Sequence, residues 1–303
     1  MSFFLFFTIY ICINIKVCYD KNKKVVVGIM YYKKDLGYKY PSRSDEHMIT
    51  VKHLRDVNCD VNYPYLDKTL WYKIKRVVLW ILLNPLIFLV VKIRHGVRIH
   101  GRKNFRKHKE LLKNGAITIC NHVFMWDYLC VLMAIRPRLQ YLLAWKTNLE
   151  GPNGPLIRWV GGIPIPTGNI RAMGKFKNAV DEVLEKGKWL HVFPEGSMWF
   201  YYPDIRPLKP AVFRFAVEHN KPVLPLTISF RPRKGIFKIF SKNPFADVHI
   251  GEPMLHDTTL SKKEAIDKMH KQAYHIMQTM AGIKETDPNY NTNQNIDEYV
   301  KTL

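Results

Sequence analysis

Between Gly96 and Gly282 short apolar runs rich in β-branched residues alternate with stretches whose apolar residues recur every three or four positions. VRIHG, AITIC, LQYLLA, IPIP, the run Lys188 to Phe193, PVLPLTISF and ADVHIGEP read as strands. FRKHKELLKNG, Tyr128 to Ile135, Asn169 to Lys186, Lys209 to His219 and Ser261 to Gly282 read as helices. The clearest helix places Ile170, Met173, Phe176, Val180, Val183 and Leu184 on one face and ends at Gly187. Ser261 and Glu264 have the spacing of a capping box at the start of the last helix. Strands in strict alternation with helices predict an α/β domain with a mostly parallel central sheet flanked by helices.

That domain, 96–282, is the third of four expected segments. Residues 1–70 hold an apolar run, FFLFFTIYICINI, and then a polar arm without sustained periodicity, expected to be loosely structured. The run is short for a membrane span and has neither the basic start nor the cleavage site of a secretory signal. Three readings stay open for it: an extra anchor, an unusual signal, or a start upstream of a usable Met30. Residues 1–29 are expected to be dispensable. Residues 71–95 carry a second run, Val77 to Ile93, with basic residues on both flanks and Pro85 inside. Seventeen helical residues reach only about 25 Å, short of a bilayer core, and like-charged flanks give no preferred orientation. A kinked helix or helical hairpin lying in one leaflet is the expectation. Residues 283–303 form a polar tail.

Charge narrows the partner. Lys and Arg number 47 against 25 Asp and Glu, a net charge of +22 over 303 residues. Such an excess predicts an anionic partner. The basic and aromatic residues mixed through RPRKGIFKIFSKNPF (Arg231 to Phe245) suit lipid headgroups, or else an ordinary hairpin with its Phe side chains packed inward. The five cysteines are scattered without CxxC spacing, which points to reduced thiols and away from zinc.

Two strand ends carry candidate chemistry. AITICNHVFMWD ends a buried strand at Asn121 and delivers His122 and, five residues on, Asp127. This pair can act as a base and the carboxylate that orients it. About seventy residues later VFPEGS sets Glu195 and Gly196 in a turn at another strand end. Ligand sites of open α/β sheets gather at such ends. There is no GxSxG and no metal-ligand spacing.

NHxxxxD, GGIPIP, FPEGS and VLPLTI, in that order over roughly 95–255, resemble the glycerolipid acyltransferases, closest to the 1-acylglycerol-3-phosphate acyltransferases. The resemblance implies transfer of a fatty acyl group from acyl-CoA or acyl carrier protein to lysophosphatidic acid, giving phosphatidic acid. It implies His122 as base, Asp127 as its orienting partner, Glu195 and Gly196 in the acceptor site, and no metal or organic cofactor. Backbone N–H groups near His122 or in the Glu195–Gly196 turn are the expected oxyanion donors. The chain departs from the family where cations for the acceptor phosphate are usual: Thr167 ends the middle motif and Met198 follows FPEGS. Lys146, Arg171, Arg206 and Lys209 are the expected substitutes. The implied setting is a peripheral or monotopic position on an anionic membrane, active site on the cytoplasmic face, without nucleic acid. Two alternatives stand beside it: an acyltransferase for glycerol 3-phosphate or another lysophospholipid, and a non-enzymatic basic membrane-binding protein.

Overall fold

A computed structural model describes residues 36–282. The first apolar run, Met30 and the tail from 283 lie outside the described residues. Residues 36–69 hold no helix or strand. Then follow α1 (Leu70–Leu89), a π turn (Val90–Arg94), β1 (Arg98–His100), α2 (Arg102–Lys107), β2 (Ile117–Ile119) and α3 (Asp127–Ala134). Next come β3 (Gln140–Trp145), α4 (Lys146–Glu150), α5 (Gly154–Trp159), β4 (Gly162–Ile165), α6 (Ile170–Glu185) and β5 (Trp189–Val192). The chain continues through α7 (Ala211–Glu218), β6 (Val223–Arg231), the short α8 (Phe237–Phe240), β7 (Phe245–Ile250) and α9 (Lys262–Ala281).

The seven strands form one sheet in the order β1-β7-β6-β2-β5-β3-β4. Every pairing is parallel except β6 with β7, the basic–aromatic hairpin. β2 is the central strand, buried on both faces, as a β-branched apolar run requires when helices cover both sides. On one face Phe176, Val183 and Leu184 of α6, Phe213 of α7 and Tyr274 and Met277 of α9 close over Ile117, Ile119 and Leu190. On the other, Cys130 and Val131 of α3 join Val91, Leu112, Leu224 and Val248. Burying each such aliphatic side chain stabilises the domain by roughly 1.5–3 kcal/mol.

The caps follow the sequence. Gly187 takes φ +64° after α6, where its N–H donates to Leu184 O (3.0 Å). Ser261 and Glu264 form the reciprocal capping box of α9.

Two expectations need correction. The 71–95 segment is neither a helical hairpin nor confined to its apolar run. One helix and its π turn continue from Leu70 to Arg94 through Pro85, and 25 residues reach about 37 Å at the usual rise. It is long and apolar enough to cross a membrane by length and composition. It also lies against the domain: Tyr72 donates to Arg158 O (3.0 Å), Arg76 to Gln140 O (2.5 Å), and Ile87 and Val91 are buried. Second, the arm lacks regular structure but is not loose. Cys59 and Tyr65 are buried in the core, and Arg158 donates to Tyr65 O (2.6 Å).

Candidate active site

β2 leads onward to β3 on one side, while its neighbour β5 leads to β6 on the other. Chain leaving these adjacent parallel strands therefore diverges and opens a crevice at their carboxyl ends. His122 follows β2 and Glu195 follows β5. Asn121, buried at the end of β2, donates from Nδ2 to Ile228 O (2.9 Å) and accepts from Ile228 N–H (2.7 Å). That pair of bonds replaces strand pairing at the point where the chain turns out of the sheet.

His122 Nδ1 lies 2.5 Å from Asp127 Oδ2. Asp127 is 2% exposed and also accepts from the N–H groups of Val123 (3.2 Å) and Tyr128 (2.7 Å). A carboxylate at Nδ1 places the ring proton there and leaves Nε2 as the basic nitrogen. The His122 side chain is 22% exposed, so the ring reaches the crevice while its partner stays dry. Phe193 stacks on the imidazole at 4.0 Å and 12°. His191 meets Phe193 edge-on at 4.4 Å. Thr118 accepts from His191 Nδ1 (2.8 Å) and donates to Gln140 (2.8 Å), so the aromatic column is tied to the buried sheet.

The Glu195 carboxylate, expected to face the acceptor, is turned into the protein. It is 1% exposed, and its Oε2 accepts from His122 N–H (3.0 Å) and Arg206 Nη2 (2.8 Å). Its Oε1 accepts from Arg206 N–H (3.0 Å). The carboxylate locks the turn after β5 to the backbone of His122. Arg206 needs the same correction. It is 2% exposed, donates to Glu195, to Ser197 Oγ (2.6 Å) and O, and to Ser44 O of the arm (2.7 Å), and lies beneath the Trp199 ring. Its charge balances Glu195 and is closed to a substrate phosphate.

Three of the expected oxyanion donors are engaged as well. The N–H of His122 serves Glu195, that of Val123 serves Asp127, and that of Gly196 donates to Phe193 O (3.0 Å).

Gly196 is exposed with φ +77°, and a Cβ there would meet Lys209 Nζ at 2.9 Å. Lys209 is half-buried and forms no ion pair among the described residues. Lys146, at the end of β3, is partnered by Glu150 (3.1 Å), which also meets His53 of the arm (2.9 Å). Arg171 is exposed in the first turn of α6, with no contact to His122. Of the four substitute cations, Lys209 is the one at the FPEGS turn with its charge open.

The arm adds a residue that the sequence did not single out. His47 stacks on Trp145 at 3.7 Å and 11°, at the carboxyl end of β3. Burial and the nearby charges of Lys209, His122 and Arg206 hold its pKa below the usual imidazole value. Trp199 Nε1 donates to Glu46 O (2.9 Å) and Tyr40 to Phe200 O (3.0 Å), fixing this part of the arm on the FPEGS loop. Cys120 and Cys130 are fully buried, and burial together with the Asp127 charge pushes both thiols far above their ordinary range. Neither is suited to nucleophilic attack.

Residues 96–229 match the family model described as Acyltransferase, and they span both strand-end motifs. The chain carries an acyltransferase-family domain. That domain supports an acyltransferase, and it lies in the mostly parallel α/β sheet expected for one. No curated protein matches the chain. Among solved structures, that of the 1-acyl-sn-glycerophosphate (LPA) acyltransferase PlsC from Thermotoga maritima is similar over 73% of this chain and 97% of that one, with 17% identity and a TM-score of 0.44.

Proposed function

We propose that the protein transfers a fatty acyl group from acyl-CoA or acyl carrier protein to the free hydroxyl of lysophosphatidic acid, giving phosphatidic acid. The observation that carries this reading is the His122–Asp127 pair: a partly exposed imidazole held at Nδ1 by a buried carboxylate, with Nε2 directed to the crevice. An alcohol near neutral pH needs a base to become a nucleophile. His122 Nε2 takes the hydroxyl proton as the oxygen attacks the thioester carbonyl. The tetrahedral intermediate collapses, the C–S bond breaks, and the imidazolium returns its proton to the departing thiolate. Asp127 stabilises the imidazolium between the two steps. Every step uses groups of this chain, and none calls for a metal or an acyl-enzyme.

Lys209 beside Gly196 is the acceptor's phosphate contact in this reading. The exposed apolar face of α1 and its π turn, including Trp71, Ile81, Leu82 and Ile93, supports a membrane position from which both lipid substrates are reached. A cytoplasmic-facing site agrees with the supply of the thioester donors.

A second acceptor class is favoured by one observation: with Arg206 closed off and Lys146 paired, the crevice offers less positive charge than the sequence promises. A lysophospholipid with a zwitterionic headgroup is the alternative this favours. Purified full-length protein, given labelled acyl-CoA and a panel of acceptors, separates them. Label moving into phosphatidic acid is the expected result. Label moving only into another product reassigns the acceptor, and no label in any lipid removes the proposal.

A further inference from the structure

The hairpin between β6 and β7 leaves the sheet beside the candidate site. β6 runs parallel to β2, so Arg231 lies at the same sheet edge as His122. Phe230, at its base, lies 6.1 Å from the ring of Phe124 and 5.1 Å from that of Tyr201, both on the site's loops. Beyond Pro232 the chain exposes three large apolar side chains in four residues: Ile236 at 65%, Phe237 at 44% and Ile239 at 83%. Lys234 and Lys238 are exposed among them.

A free tip with this composition is costly to leave in water, and here it is held in place. Arg233 is 8% exposed and donates to Asn243 O (2.6 Å) across the hairpin and to Arg94 O (2.9 Å) at the end of the π turn. Arg231 donates to Gly96 O and pairs with Asp247 (3.0 Å). Phe237 rests edge-on against Phe245 (5.5 Å). The tip is therefore fixed to the π turn that follows α1, a region where Phe88, Leu89 and Ile93 are exposed as well.

We propose that Lys234 to Ile239 is a second membrane contact, which places Ile236, Phe237 and Ile239 among the lipids of an anionic bilayer and sets the His122 edge against its surface. It rests on the membrane setting proposed above but not on the reaction. Three features favour a bilayer over a protein partner. The apolar residues lie on a projecting tip and form no groove. Lysines alternate with them, as at a headgroup boundary. The apolar surface also continues onto α1, the longest apolar helix described.

The test uses full-length protein and vesicles of phosphatidylcholine alone or with a quarter phosphatidylglycerol. Ile239→Asp should lower partitioning onto both by about tenfold, since a charge is placed where an apolar side chain enters the lipid. Lys234→Glu with Lys238→Glu should lower it by more than about tenfold on the anionic vesicles and little on the neutral ones. Amide exchange over 234–240 in the parent protein should slow when anionic vesicles are added. Unchanged partitioning of both variants, or amide exchange indifferent to lipid, overturns the proposal. Slowed exchange that depends on protein concentration without lipid assigns the tip to a second copy and overturns it too. All these readouts are of binding, so loss of the acyl-transfer reading would leave them intact.

Discussion

An imidazole works as a general base only when one nitrogen keeps its proton and the other is open, and five residues of sequence here set that arrangement. The turn from β2 into α3 returns Asp127 to His122 Nδ1, and its burial keeps the hydrogen bond out of competition with water. The spacing was legible in the sequence, although the pair is brought together by a non-helical turn that ends where α3 begins at Asp127. The role of Glu195 was not. A glutamate in a Gly-containing turn at a strand end reads as an acceptor contact, and only the fold shows that Arg206, eleven residues on, neutralises it inside. Lys209 and Arg171 looked alike in sequence, but Lys209 stands at Gly196 and Arg171 in solvent. Lys209→Ala should therefore raise the acceptor KM about tenfold, the scale of one charge-assisted contact to phosphate. Arg171→Ala should leave it within about twofold. Steady-state kinetics at varied acceptor concentration check both, and the reverse ranking would move the phosphate to α6.

At the scale of elements, the arm is the main departure from expectation. Residues 36–69 lack the periodicity by which helices and strands are found, because their order comes from contacts with other parts of the chain: His47 on Trp145, Glu46 with Trp199, Ser44 with Arg206. Removing one partner of a buried ion pair leaves an uncompensated charge, at a cost of about 3–5 kcal/mol. Arg206→Ala should lower unfolding stability by that order and release the arm, seen as faster amide exchange at 44–48. Full stability with unchanged exchange would show that Glu195 has another counter-charge. The apolar helix was located correctly, yet its length was misjudged. Its amino-terminal turn is held by Thr69, which accepts from Tyr72 N–H (3.2 Å), and its basic residues continue the helix instead of ending it. The longer elements from 96 to 282 and the central strands were legible because they bury a face with their own period, as with α6 and the doubly buried β2, whereas α2 buries no residue and the short α4 and α8 carry no such signal.

Taken whole, the domain encloses a histidine that cannot charge where it sits. His191 is fully buried between Thr118 and Phe193, and burial lowers its pKa from 6.5 to about 3. The unfolded chain takes up a proton near pH 6.5 that the folded chain refuses, so stability is full above that pH and falls as pH drops below it. This group alone contributes a loss of up to about 1.4 kcal/mol per pH unit across the window from 6.5 to about 3. Urea unfolding at pH 7.5 and 5.0 should show that slope, and His191→Gln should reduce it; an equal slope in the variant would place the acid sensitivity elsewhere. The net charge of +22 was readable at once, and with it an anionic partner, but not how charge is arranged. Some basic residues are matched internally, as Arg206 is by Glu195, and others stay open, among them Lys209 at the FPEGS turn and Lys234 and Lys238 on the β6–β7 hairpin. The central claim is that His122 removes the acceptor's proton. It is tested most directly by acyl transfer from labelled acyl-CoA to lysophosphatidic acid on vesicles, parent against His122→Ala, with vesicle binding and thermal unfolding measured alongside. Loss of at least about 10³ in rate with binding and unfolding unchanged is the predicted result. Turnover within tenfold of the parent in a folded, membrane-bound His122→Ala protein would contradict the account.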